Sequence, residues 1–193
     1  MGKLVVTEFI TLDGVIDSPG GGSDFEHAGW SFKFNTGEEG QKFKFEELMA
    51  ADAQLLGRIT YEGFAKAWPT MTDTGEFGEK MNSMPKYVVS TTLSDDDADW
   101  TNTTVIRDDI AGEVARLKDQ VAGDILVAGS ARLVRTLAEL DLVDEYRLML
   151  HPVVLGSGKR LFGDGMPRTA LRLRSSTPIG PDGVLILTYQ PVR

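Results

Sequence analysis

The chain has 193 residues, 41% of them hydrophobic and 25% charged, which suits one ordinary folded domain spanning 1–193 and excludes a disordered polymer. A net charge of −9 speaks against a generic nucleic-acid binder, which needs a basic surface to displace counterions. No apolar run approaches the roughly 20 residues of a membrane span, Met1 to Val6 lacks a secretory leader pattern, and the absence of cysteine removes disulfides, thiolate zinc sites and cysteine nucleophiles together. The expectation is a cytoplasmic protein without nucleic-acid or membrane partners.

Taken in chain order, Lys3 to Leu12 reads as a strand ended by the Asp13-Gly14 turn signal. Ser18 to Asp24, rich in glycine, is a loop, and a polar-aromatic segment leads to the end of a helix at Glu46 to Asp52. Ala53 to Gly57 is a short buried strand, and Arg58 to Trp68 a helix that Pro69 stops. Pro69 to Met84 shows little periodicity and reads as irregular. Strands follow at Pro85 to Ser90 and Thr103 to Ile106, separated by the acidic loop Asp95-Asp96-Asp97-Ala98-Asp99. Ile110, Val114, Leu117 and Val121 draw one helical stripe, with Asp108 or Asp109 available as its cap. Asp124 to Ala128 is a buried strand, and the helix after Gly129-Ser130 turns Leu133, Val134, Leu137 and Leu140 inward. The last third is β-rich: Glu145 to Leu155, Ala170 to Thr177 and Val184 to Val192, with a turn at Gly180 to Gly183. This order describes an α/β fold, a mixed and mostly parallel sheet with helices on both faces and an antiparallel C-terminal hairpin.

Two joints carry chemical information. At Gly129-Ser130 a buried strand runs directly into a helix, so backbone N–H groups and small residues could receive a phosphate; a short turn capped by Ser130 is the simpler alternative. At Leu56-Gly57-Arg58-Ile59-Thr60 a second strand ends at glycine before a helix. Arg58 opposes the helix dipole there and could hold an anion, or it could pair with Glu62 one turn on. Two such joints suggest two helix N-termini converging on one elongated anion such as a pyrophosphate. Asp13 ends the first strand, either as a plain turn residue or beside a ligand cleft. His27 reads as a solvated loop residue and His151 as a core or edge position. The acidic loop reads as solvated, so no metal is expected. Nucleophile-elbow, zincin and Walker motifs are absent from the sequence.

Four stretches, in order, resemble the dihydrofolate-reductase-like superfamily, closest to the reductase domain of the riboflavin-biosynthesis deaminase–reductase and its stand-alone relatives. They are Thr11 to Gly14, Leu56 to Glu62, Lys86 to Thr91 and Ile125 to Ser130, the last continuing through Leu140 to Glu145, His151 to Gly158 and Arg160 to Phe162. The resemblance implies bound NADPH, hydride transfer to a small heterocyclic substrate, and a homodimer built through the late strands. Carried over by position, it implies that Gly57, Arg58 and Thr60 face the cofactor phosphates and that Ser90 and Thr91 lie near the adenosine. Gly129 and Ser130, with Ala131, Arg132 and Leu133, would hold the pyrophosphate, and Asp13 would polarise the substrate or deliver a proton. Lys159 and Arg160 are either cations for a substrate phosphate or plain surface charges. The sequence departs from the family pattern at Ser130 and Asp141, where glycine is usual. A dinucleotide-binding or structural homodimer without turnover is the alternative, and a flavin- or pterin-using oxidoreductase a third.

Overall fold

A computed structural model describes all residues, 1–193. In chain order it contains β1 (Leu4–Thr11), α1 (Gly37–Met49), β2 (Ala51–Gly57), α2 (Arg58–Ala67), α3 (Gly75–Ser83), β3 (Lys86–Val89), β4 (Thr103–Ile106), α4 (Ile110–Gln120), β5 (Asp124–Ala128), α5 (Ala131–Glu139), β6 (Glu145–His151), β7 (Leu171–Ile179) and β8 (Val184–Pro191). One sheet of eight strands runs in the order β4-β3-β2-β5-β1-β6-β8-β7. The first six of these are mutually parallel, β8 adds antiparallel to β6, and β7 adds antiparallel to β8. All six parallel strands therefore end at the same edge of the sheet.

The strand alternation sorts the core into two layers. Leu4, Val6 and Ile10 of β1 pack with Val114 and Leu117 of α4 and Leu133, Val134 and Leu137 of α5. Val5 faces the opposite way, into a cluster with Leu48 of α1, Tyr61 of α2 and Met81 of α3. Each fully buried aliphatic in these layers contributes about 1.5–3 kcal/mol. The consequence for function is topological. Strands β2 and β5 are neighbours, yet α2 leaves β2 toward one face while α5 leaves β5 toward the other. Between such strands the carboxyl edge opens a crevice, the position where open α/β sheets bind ligands.

Two stretches differ from the sequence-based expectation. The segment expected to be irregular after Pro69 contains α3, a nine-residue helix held by Met81, with Phe77 packed beside it. Its apolar residues are too few and its glycines too many to show a stripe. Helix α1 ends at Met49, inside the stretch expected to close a helix, but Ala51 and Asp52 already belong to β2; its start at Gly37 carries no apolar stripe, its exposed positions holding Glu38, Glu39, Lys42 and Glu46. The strands and α4 otherwise lie within a few residues of expectation, and Asp109 caps α4 by accepting from the Gly112 N–H at 3.1 Å.

The buried Lys86 at the start of β3 joins α3 to the β3–β4 connection. Its ammonium donates to the carbonyls of Asn82 and Thr101, the latter at 2.9 Å, and lies 4.1 Å from the centre of the Trp100 ring. Burial pushes its pKa down to about 8. Lys86→Met removes both donations and leaves two carbonyls unserved, so urea unfolding should show a loss of about 2–4 kcal/mol. No helix is long and apolar enough to cross a membrane.

Candidate functional site

The two glycine joints meet at the carboxyl edge of β2 and β5. A methyl group on Gly57 would run into the Ser130 hydroxyl, and one on Gly129 would lie 2.7 Å from Thr60 Oγ1. Each joint is thus packed against the other, and side chains larger than hydrogen do not fit at their contact. Gly129 has φ +66° and Ser130 φ +63°, both in the left-handed region. This explains why glycine is the usual residue at the second position. Serine tolerates the conformation at some cost in strain. Neither Gly57 nor Ser130 caps its helix through a side chain. The first-turn N–H groups of α2 and α5 are therefore left to an external acceptor or water. The side-chain cap that the sequence allowed for Ser130 is not made. Ala131, Arg132 and Leu133 form the first turn of α5; Leu133 turns into the core, while Arg132 stays exposed.

Arg58 is paired with Glu62 at 3.0 Å, with both side chains close to half exposed. Such an exposed i,i+4 pair is worth only a few tenths of a kcal/mol. A phosphate could therefore draw the guanidinium away at little cost. Ser90 is buried, and its hydroxyl oxygen accepts the N–H groups of Thr92 and Leu93 at 3.1 and 3.0 Å, fixing the turn after β3. Thr91 is exposed beside it. The structure adds Arg107, one residue beyond β4 at the same edge, which the sequence reading passed over. It donates to the Leu93 carbonyl and to Asp95 Oδ1 at 2.9 Å, so one residue of the acidic loop already holds it. The available signal was a cation directly after a strand end.

Asp13 is occupied by its own loop. It accepts from Thr11 Oγ1 at 2.6 Å, from the Leu155 N–H at 3.2 Å and from the Gly156 N–H at 2.8 Å. Desolvation raises its pKa, but these hydrogen bonds outweigh it and hold the carboxyl at about 2. A group with that affinity carries no proton to deliver at neutral pH, so its geometry is that of a positioning residue clamping the turn after β1 to the turn after β6. Arg160 lies 3.5 Å from Asp13, and Lys159 lies 3.6 Å from Asp17. Both cations considered for a substrate phosphate are therefore already paired.

Beyond β6, the buried His151 ring stands among Phe9, Trp30 and Phe34, with centroids 5.8, 5.1 and 5.5 Å away. Its Nδ1 faces the Met149 carbonyl at 2.9 Å, while the buried Nε2 has no partner. Burial lowers its pKa and keeps it neutral. This is a core position, as its sequence context suggested, but only half satisfied. On the α1 side, Lys44 donates to Thr7 Oγ1 at 2.7 Å and to Glu47 Oε2 at 2.9 Å, and sits 5.0 Å from the centre of the Phe9 ring. His27 is a partly exposed loop residue 3.5 Å from Glu26.

Glu8, in the middle of β1, is a further residue that the sequence reading passed over. It is 4% exposed, and its Oε1 has no hydrogen-bond partner. Burial pushes its pKa up to about 8, opposed by the Lys44 amine and the Gly129 N–H, with Glu47 adding to the rise. The signal available was a lone carboxylate inside the apolar run Leu4-Val5-Val6-Thr7-Glu8-Phe9-Ile10.

Against known proteins, residues 2–185 match the RibD C-terminal domain family. The uncharacterized protein YyaP of Bacillus subtilis (strain 168) is 31% identical over 190 residues, 97% of this chain and 94% of that protein. Among solved structures, a candidate riboflavin biosynthesis protein from Shewanella sp. PV-4 superposes with a TM-score of 0.74 at 19% identity, covering 100% of both chains. Dihydrofolate reductase from Enterococcus faecalis, complexed with NADP(H) and RAB-propyl, superposes with a TM-score of 0.60 at 15% identity over 100% of this chain and 98% of that one. The fold is dihydrofolate-reductase-like.

Proposed function

The chain belongs to the RibD C-terminal domain family of NAD(P)H-dependent oxidoreductases, and we propose that its cofactor is NADPH and its substrate a small heterocycle with a reducible C=N or C=O bond. The observation that carries the cofactor reading is the pair of uncapped helix N-termini, α2 and α5, meeting across glycines at the β2/β5 crevice. A pyrophosphate is the anion suited to such a pair, because both sets of free N–H groups and both dipoles favour negative charge there. In this reading Gly57, Thr60, Gly129 and Ser130 approach the pyrophosphate, with Ala131, Arg132 and Leu133 forming the turn behind it. Ser90 and Thr91 flank the adenosine, and Arg58 and Arg107 are the cations available to a 2′-phosphate. Bound there, the dinucleotide supplies the hydride, while the protein orients substrate and excludes water.

Asp13 is proposed to shape the substrate end by holding the 153–156 turn in place. Lys159 and Arg160 sit in long, exposed pairs with Asp17 and Asp13, as readily opened as the Arg58–Glu62 pair, so they are the cations proposed to receive a substrate phosphate. The test is anaerobic NADPH consumption with 5-amino-6-(5-phosphoribosylamino)uracil, its dephosphorylated form and dihydrofolate. Faster turnover of the phosphorylated form supports this role for the two cations; preference for the dephosphorylated one overturns it.

Arg58→Ala and Arg107→Ala should each weaken NADPH about five- to thirtyfold while changing NADH less than twofold, since one charge-assisted hydrogen bond is worth about 1–2 kcal/mol. Titration with both dinucleotides checks this. A homodimer is proposed through β7, an edge strand exposed along most of its length with Leu173 half exposed; sedimentation velocity of wild type and Leu173→Glu tests it.

A further inference from the structure

We propose that Glu8 is an acid of the reductase site, its carboxyl set at the nicotinamide end of the crevice to give the substrate the proton that accompanies the hydride. This rests on the cofactor reading above. Three observations place it. Glu8 lies on β1, next to β5 in the sheet, at the level where β5 ends: Thr7 is paired with Ala128, so Glu8 stands beside Gly129. Its Oε1 is buried and lacks a partner, a costly state that persists where a ligand or substrate completes the hydrogen bonding. Asp13, the other carboxyl near this edge, has its oxygens committed to main-chain N–H groups.

The charged groups acting on Glu8 are Lys44 and Glu47, both from α1. From the neighbouring β6 the residue opposite is the apolar Leu148. The Lys44 amine is shared with Thr7 and Glu47, which leaves burial as the dominant influence, and Glu8 holds its proton at neutral pH. The step balances without another reactant. As the carbon of the substrate's C=N or C=O bond accepts a hydride with its electron pair, the heteroatom takes the Glu8 proton. The O–H bond of Glu8 breaks and a heteroatom–H bond forms; the substrate is reduced, the dinucleotide oxidised, and solvent reprotonates the carboxylate. The anion left behind is matched to the ring, which becomes cationic on oxidation.

That last pairing gives a test that needs no substrate. NADP+ and NADPH share their phosphates, so the ratio of their affinities cancels phosphate titration and reports groups near the ring. In the wild-type protein the ratio should shift at least fivefold toward NADP+ as pH rises from 6.5 to 9, and Glu8→Gln should flatten it. Proton release on NADP+ binding, read in two buffers by calorimetry, should accompany the shift and vanish in the variant. A ratio independent of pH in the wild type overturns the proposal without requiring any variant to fold, and so does an undiminished slope in Glu8→Gln. Failure of the wild type to bind either dinucleotide overturns instead the cofactor reading on which it stands.

Discussion

Gly129→Asp should weaken NADPH binding at least a hundredfold while the protein remains folded. Three effects act together at this position. The backbone is left-handed at φ +66°, a conformation aspartate tolerates better than most residues but at a cost glycine does not bear. The new Cβ would lie 2.7 Å from Thr60 Oγ1, and the neighbouring turn of α2 would have to give way. The largest effect is electrostatic: a carboxylate roughly 4 Å from a pyrophosphate costs about 4 kcal/mol at an effective dielectric near 20. Even half of that corresponds to about thirtyfold in affinity. Gly129→Ala keeps the steric effect and part of the strain without the charge, and should lose only about tenfold. Nicotinamide fluorescence measures both, and thermal melting checks that the fold survives. Equal losses in the two variants would show that charge at the joint is irrelevant and that no anion binds there.

The second large effect is on stability. Glu8 binds its proton more tightly in the folded protein, with a pKa near 8 against an ordinary value of 4.5. Across that window the native state holds more protons than the unfolded state. The contribution of Glu8 is therefore fully present below about pH 4.5 and is lost as pH rises toward 8. The shift corresponds to a change on the order of 5 kcal/mol, large beside the total stability of a domain. His151 acts in the opposite sense. Its pKa is lowered by burial, so its contribution is present above the unfolded value near 6.5 and fades as pH falls below it. Urea unfolding of wild type and Glu8→Gln from pH 4.5 to 9 separates the two, because His151 is common to both proteins. The variant should gain steadily on the wild type with pH. A constant difference would mean that Glu8 titrates normally and is not enclosed.

Most of the fold was legible because its strands are short apolar runs ended by glycine or by turn residues, and because Ile110, Val114 and Leu117 keep a helical period. Helix α3 was not legible: it docks through Met81 and Phe77 while Gly75 and Gly78 dilute its pattern. The joints at Gly57 and Gly129 could be found from composition, since a strand ending at glycine before a helix is a local signal. Their mutual contact, Gly57 against Ser130 and Gly129 against Thr60, depends on β2 and β5 becoming neighbours despite 66 intervening residues. Asp13 stood out in the sequence and Glu8 did not, for a related reason. A carboxylate in an Asp-Gly turn looks available, but partners more than 140 residues away occupy it. A glutamate inside a strand looks like an ordinary polar interruption until the sheet closes around it.

Direct titration of the purified protein with NADPH, alongside NADH, tests most simply whether the β2/β5 crevice is a dinucleotide site. A dinucleotide site there should give saturable binding in the micromolar range, tighter for NADPH, with enhanced nicotinamide fluorescence that is lost in Gly129→Asp. Absence of binding to either dinucleotide at millimolar concentration would contradict it.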